Sequence, residues 1–385
     1  MKISDNAMTA ILLCSFIGMN HDGDAKPLTL KEWNELLDRV VQNKQQPSTI
    51  MDQNFLKDIG YSPEYIERIK RLIYRGGTVA FALEELEKKG IGIVTQFDTD
   101  YPILIKRKLK RKAPPILFYS GDIGLAKKIG IGVVGSRNVD EEGIRFTQKL
   151  VEKAAREHLI IYSGGAKGID TVSEKAALEY GSAAVSFVAD SLLSKIRKKD
   201  ILDAVINKKH LLLSDVKPDA GFSAARAMNR NKYIYASSYG TFVAASDYNT
   251  GGTWAGATEA LKNRWTKVFV WQNERYEGNR KLIEKGAVPY CFSDESILEL
   301  ITKKETFQQV DLTSVPSIMP KNKTEGNLDL YHVIAPYVME HIGEGMTKEE
   351  AAEVFQVAKG QMHIWLNQLC LDSCLKCVKG RYVKQ

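Results

Sequence analysis

Apolar residues in the first hundred positions recur at helical spacing, over 30–41, 55–59 and 66–74. Asp58-Ile59-Gly60 followed by Ser62-Pro63-Glu64 predicts that one helix stops and another starts, since glycine ends helices and serine caps them with proline at the first position. An apolar stretch from Met8 to Met19 is interrupted by Ser15 and Gly18. It lacks a basic start and a small-residue cleavage site, so it reads as a buried helix rather than a signal peptide. No apolar run reaches the about 18 residues of a membrane span.

From about residue 116 the pattern changes to short β-rich runs alternating with helical stretches. Strands are expected at 131–134, 159–163, 183–187, 211–214, 241–245, 267–270 and 288–291. Helices are expected at 141–157, 171–180, 192–206, 224–236, 255–263 and 279–284. Such alternation predicts an α/β domain with a Rossmann-like, mostly parallel sheet covered by helices on both faces. Residues 303–327 are polar and proline-bearing, the pattern of a linker. Beyond it, helical runs at 329–341, 348–354 (Thr347 and Glu350 as a capping box) and 361–371 precede a basic hairpin-like tail at 376–384. That order predicts a winged helix-turn-helix. The expected organisation is a helical N-terminal domain (1–100), a Rossmann-like domain (101–303), a linker (304–327) and a winged-helix domain (328–385).

Charge sharpens this picture. Residues 101–300 hold 32 Lys and Arg against 22 Asp and Glu, whereas the rest of the chain holds 22 against 25. The basic excess sits on the α/β domain, where it suggests a polyanionic partner. Residues 325–385 carry 6 basic against 8 acidic residues, so the tail is a poor duplex binder by charge and reads as an accessory or protein-contact module. The basic run from Lys106 to Lys112 reads either as a solvated linker face or as a phosphate-contacting arm. Five cysteines, three of them in the last sixteen residues, are not a disulfide framework and fit a reducing, cytoplasmic setting.

Candidate chemistry lies where ligands bind parallel sheets, at the carboxyl ends of the strands. Three glycine-rich turns stand there: Gly135-Ser136-Arg137-Asn138, Ser163-Gly164-Gly165-Ala166-Lys167-Gly168 and Thr250-Gly251-Gly252-Thr253. Glycines let the backbone approach a ligand, and the turn amides with the following helix N-terminus make an anion site. Arg137 and Lys167 each add a cation. A phosphate-bearing ligand explains the series better than chance turns do. Gly130-Ile-Gly132-Val-Val-Gly135 matches the dinucleotide fingerprint literally, but its first two glycines lie in or before a strand. No P-loop is present. Cys370, Cys374 and Cys377 have a radical iron–sulfur spacing yet alternate with apolar residues and read as core. Ser136 and Ser163 lack a histidine base, and no histidine has an acidic partner at metal spacing, so neither a catalytic residue nor a metal or cofactor is expected.

In order, Val134-Gly135-Ser136-Arg137, Ser163 to Asp170, Ser214-Asp215, Asn229-Arg230-Asn231-Lys232, Gly251-Gly252-Thr253 and Gly278 to Ala287 resemble the DNA-processing protein A (Smf) family. The resemblance runs from about residue 50 to 290. It implies single-stranded DNA in a positive pocket, homodimerisation through the Rossmann-like domain, and delivery of DNA to the recombinase RecA, in a protein that is not an enzyme. By motif position Arg137 and Lys167 would contact phosphates, Gly135, Ser136, Ser163, Gly164, Gly165 and Gly168 would shape the pocket, Arg230 and Lys232 would extend it, and Gly251, Gly252 and Thr253 would close it. Trp254 or Tyr233 could offer a stacking surface, or could pack under a helix. The family usually has a histidine where Glu174 stands and Ser-Gly-Ser-Leu-Ile-Thr-Ala where this chain has 251–257, which marks a divergent branch. Ser163-Gly-Gly and Gly251-Gly252-Thr253 with Glu259 also resemble the lysine-decarboxylase-like phosphoribohydrolases. The alternative is therefore a nucleotide enzyme or sensor, with Glu259 acting on a nucleoside monophosphate.

Overall fold

The computed structural model describes residues 3–19 and 25–303, and of the C-terminal stretch 338–339, 342, 345–354, 362–363, 366–367, 369–370, 375–378 and 381–384. The chain divides into two compact units, Met1–Glu305 and Thr306–Gln385.

The first unit opens with helices α1 (Asp5–Cys14), α2 (Leu30–Gln42), α3 (Gln53–Asp58), α4 (Pro63–Tyr74) and α5 (Gly76–Lys88). Ser62 caps α4 with Pro63 at its first position, its hydroxyl accepting from Tyr65 N at 3.3 Å, as the stop-and-restart signal predicts. Strand β1 (Gly92–Thr95), helix α6 (Ile103–Leu109) and strand β2 (Ile116–Ser120) follow. The periodicity above assigned neither strand. They are short, and Pro114-Pro115 stands before β2 where a loop signal dominates.

Strand and helix then alternate: β3 (Gly130–Gly135), α7 (Glu141–Arg156), β4 (Ile160–Ser163), α8 (Ile169–Glu179), β5 (Ala184–Phe187), α9 (Leu192–Lys195), α10 (Lys199–Ile206), β6 (His210–Ser214), α11 (Ala224–Ser237), β7 (Gly240–Ala245), α12 (Gly251–Asn263), β8 (Lys267–Trp271), α13 (Glu277–Glu284), β9 (Val288–Tyr290) and α14 (Ile297–Thr302). The single helix expected over 192–206 is two, broken between Lys195 and Lys199.

Among the described residues these strands form one sheet in the order β1-β2-β6-β5-β4-β3-β7-β8-β9. From β6 to β9 every pairing is parallel. The two added strands run antiparallel, β1 to β2 and β2 to β6. Central strands such as β5, β6 and β7 are buried at every position, which is why they read as continuous apolar runs. The chain builds outward from β3 to β4, β5 and β6 on one side, then returns to add β7, β8 and β9 on the other. The switch point lies between β3 and its neighbours β4 and β7.

The N-terminal helices have no separate core. Trp33, Leu36, Ile69 and Leu72 cluster with Ile93 of β1, Ile116 and Phe118 of β2, and Leu212 of β6. The basic run forms the end of α6 and the turn after it, with Arg107 and Lys110 exposed and their side chains without a hydrogen bond or ion pair among the described residues. Lys106 donates to Gln96 O, Lys108 to Ser238 O, Arg111 pairs with Asp38 at 2.7 Å and Lys112 with Glu259 at 3.3 Å.

In the second unit, helix α15 (Lys348–Val354) carries the expected capping box, Glu350 N donating to Thr347 Oγ1 and Thr347 N to Glu350 Oε2. β10 (Leu375–Val378) and β11 (Arg381–Lys384) pair as an antiparallel hairpin. Most of the helix expected at 329–341, part of that at 361–371, and Cys374 lie outside the described residues. Among the described residues no helix is long and apolar enough to cross a membrane.

Candidate nucleic-acid interface

The three glycine-rich turns follow β4, β3 and β7, three adjacent strands of the sheet. The β3 turn is pinned at its base, where Ser136 N donates to Ala245 O at 2.8 Å and Ser136 Oγ accepts from Asn138 N at 3.2 Å. Its far end is Asp140, which caps α7 through Gly143 N and accepts from the Tyr276 hydroxyl at 2.7 Å. The β4 turn abuts it. Gly168 has φ +80°, and a Cβ there would lie 2.3 Å from Ser136 O and 2.7 Å from Arg137 Cα. Ile169 N donates to Ser136 O at 3.3 Å. Only glycine combines that backbone conformation with that approach.

A cleft of about 370 Å³ opens over these turns. Gly135, Ser136 and Arg137 line it from β3, Arg230 from α11, and Gly251, Gly252 and Thr253 from the start of α12. Thr250, the N-cap of α12, makes no side-chain capping bond, and no acidic residue occupies the first turn. The amides of that turn therefore face the cleft with the positive end of the helix dipole. Arg137 is exposed at the mouth, its guanidinium 5.6 Å from the ring centroid of Phe222.

The other expected residues sit differently. Lys167 is exposed at the tip of the β4 turn, makes no hydrogen bond or ion pair among the described residues, and does not line the cleft, although its neighbour Ala166 does. Ser163 is buried and donates to Val133 O at 2.8 Å, tying β4 to β3. Gly165 N donates to Glu174 Oε1 at 2.8 Å, and its carbonyl accepts from Lys195 Nζ at 2.9 Å. Glu174 thus braces the turn from beneath. Lys232 does not extend the cleft: its ammonium donates to Asn229 Oδ1 at 2.8 Å and stands 5.1 Å from the Tyr233 ring. Tyr233 and Trp254 offer no stacking surface either, because both are buried in the main core. The exposed aromatic at the mouth is Phe222, which no periodicity marks.

Below the mouth lies a buried ionic group. Arg230 is 4% exposed, and its guanidinium occupies the space a side chain at Gly164 would fill, 1.3 Å from where a Cβ would stand. Its Nη1 is 3.8 Å from Asp170 Oδ2, too far for a hydrogen bond. Burial pushes Asp170 up to about 6 against the pull of Arg230, and burial likewise raises Glu174. Arg230 Nε and Nη1 and the Tyr235 hydroxyl have no hydrogen-bond partner among the described residues.

Comparison with known proteins agrees with this architecture. The family model for DNA recombination-mediator protein A matches residues 92–302, more than half of the chain. The DNA processing protein DprA of Streptococcus pneumoniae is 33% identical over 142 residues, 36% of this chain and 49% of that protein, so the match spans about half the relative's length. DprA of Bacillus subtilis is 27% identical over 228 residues, 58% of this chain and 75% of that protein. The X-ray structure of DprA from S. pneumoniae superposes with a TM-score of 0.57 at 23% identity, over 75% of this chain and 95% of that one, and so shares the fold. On the matched segment and the sheet order together, this chain belongs to the DNA recombination-mediator protein A family.

Proposed function

We propose that the cleft over β4, β3 and β7 binds the sugar-phosphate backbone of single-stranded DNA. The observation that carries this reading is one cleft lined by Gly135 of the β3 turn, Ala166 of the β4 turn and Gly251 and Gly252 at the start of α12, with Arg137 and that uncapped helix start at its mouth beside Asp247. Amides and a cation at a helix N-terminus suit consecutive phosphodiesters and need no particular sequence. Lys167 extends the track beyond the cleft, and the basic excess of residues 101–300 steers the strand toward it. The protein would cover single strands as a homodimer and hand them to a RecA-type recombinase, with the C-terminal unit as an accessory module.

A nucleoside-monophosphate hydrolase would need Glu259 in the cleft. Glu259 instead pairs with Lys112 at 3.3 Å and does not line it. The test is a fluorescence-anisotropy titration of labelled oligo-dT at several salt concentrations. Binding should weaken steeply with salt, Arg137→Glu should weaken it about tenfold or more, and Glu259→Gln should leave it unchanged. Salt-insensitive binding, or full affinity in Arg137→Glu, would overturn the proposal.

A further inference from the structure

The turn that carries Arg137 is held at both ends, and for different reasons. Its base belongs to the sheet, through Ser136 N to Ala245 O at 2.8 Å. The Arg137 side chain itself makes no hydrogen bond or ion pair among the described residues, so its direction is set by the backbone that bears it. The far end is Asp140, the N-cap of α7. A cap needs one bond, and Gly143 N supplies it at 2.9 Å. Asp140 has two partners more. The Tyr276 hydroxyl donates to its Oδ1 at 2.7 Å, and Arg275 Nη1 donates to its Oδ2 at 3.2 Å. Both come from the turn ahead of α13, which follows β8 on the other side of β3 from β4.

That second turn is itself fixed. Asn273 Oδ1 accepts from Arg275 N and from Tyr276 N, each at 3.0 Å, which directs both side chains. Buried Asn279 donates to Ala244 O at 3.1 Å and to Trp271 O at 2.9 Å, tying the start of α13 to the carboxyl ends of β7 and β8. Gly278 lets α13 close on the loop after β7, since a Cβ there would lie 2.3 Å from Ser246 O. Gly143 makes the matching gap on α7, where a Cβ would lie 2.8 Å from the Tyr276 hydroxyl. Arg275 is anchored a second time on α7, its Nε 2.9 Å from Glu142 Oε2. We infer that Tyr276 and Arg275 are positioning residues, bracing the 136–140 turn against β7 and β8 and so holding Arg137 in place at the cleft mouth. This rests on the single-strand reading above and assigns a role in it to two residues that do not line the cleft. A cation already held in place loses less freedom when a phosphate arrives, so the brace strengthens binding without touching the ligand.

The experiment pairs hydrogen exchange with oligo-dT titration on the full chain. Tyr276→Phe removes one oxygen and no charge, and Arg275→Lys keeps the charge but loses the fork that spans Asp140 and Glu142. Each should speed amide exchange in residues 137–140 and weaken oligo-dT binding about three- to tenfold. Exchange in β5 and β6 should stay slow, which separates a loosened turn from a loosened fold. In an Arg137→Ala background Tyr276→Phe should change affinity less than about twofold, because the brace acts through Arg137. Unchanged exchange at 137–140 in both variants overturns the brace. Faster exchange with undiminished affinity overturns the positioning role, and so does a loss as large in Arg137→Ala as in the wild type. Failure of the wild type to bind oligo-dT overturns the single-strand reading and the positioning role with it, while the exchange result still decides whether Tyr276 and Arg275 hold the turn.

Discussion

His210 illustrates how one buried side chain sets a pH response. Its Nε2 shares a 2.7 Å hydrogen bond with Ser186 Oγ, Nδ1 has no partner among the described residues, and burial lowers the imidazole to about 4. The folded protein therefore binds fewer protons than the unfolded chain between that value and the ordinary 6.5. Stability is lost as pH falls through this window. Asp170 has the opposite sign, since a raised carboxyl gains protons on folding, but it contributes equally to wild type and to a His210 variant and cancels between them. Urea denaturation at pH 7 and pH 5 should show His210→Gln losing about 2 kcal/mol less than wild type over that step. Equal losses would mean that the imidazole is charged in the fold. The same scale explains what sequence could tell of the site. Gly135, Gly251, Gly252 and Arg137, which sequence marked, do line the cleft, whereas Gly164, Gly165 and Gly168 of the β4 turn do not; Gly168 was legible because its backbone conformation and close approach demand glycine. Arg230 and Lys232 look equivalent in Asn229-Arg230-Asn231-Lys232, but two helical positions apart they point to different sides, one into the cleft and one toward Asn229. Phe222 sits in an irregular loop, where nothing local announces exposure.

Among the elements, the parallel strands were legible for a physical reason. Burial on both faces removes every polar position, leaving apolar runs of strand length between turns. β1 and β2 are built from the same residue types, but proline and glycine around them outweigh so few apolar positions. Two helix starts were legible from their caps, Ser62 before α4 and Thr347 with Glu350 before α15, whereas Ser296 caps α14, which the periodicity did not assign. In α2 Thr29 and Glu32 form a capping box, and Glu32 also accepts from Arg68 Nη1 at 2.6 Å, a bond that holds its carboxyl down to about 2. A depressed carboxyl contributes stability above its ordinary pKa and loses it as pH falls toward the folded value. Discounted for the solvent that reaches this pair, Glu32→Gln should cost about 1–2 kcal/mol at pH 7. That deficit should shrink as acid denaturation proceeds below pH 4.5. A constant deficit in urea midpoints across that range would count against the ion pair as its source.

For the molecule as a whole, the net charge of +7 understates the charge of the α/β segment, because residues 101–300 carry 32 basic against 22 acidic residues. If the strand lies across that surface, a plot of log affinity against log salt should fall with a slope of about 0.7 per phosphate engaged. Arg137→Glu should lower that slope by about one contact, whereas Glu259→Gln should leave it unchanged. Parallel salt dependence in all variants would place the phosphates elsewhere.

The mixed core of helices and sheet has a consequence for shortened forms of the chain. A fragment starting near residue 101 would keep every glycine turn and the whole cleft, yet it would lack β1 and the helices over Leu212 and Phe118. β2 would become the outermost strand, its hydrogen-bonding groups bare and its apolar side chains wet, which is a template for another fragment to add to. Light scattering should find such fragments assembling end on end while the full-length chain does not, so a DNA-binding defect measured on them would report adhesion between sheets and not damage to the cleft.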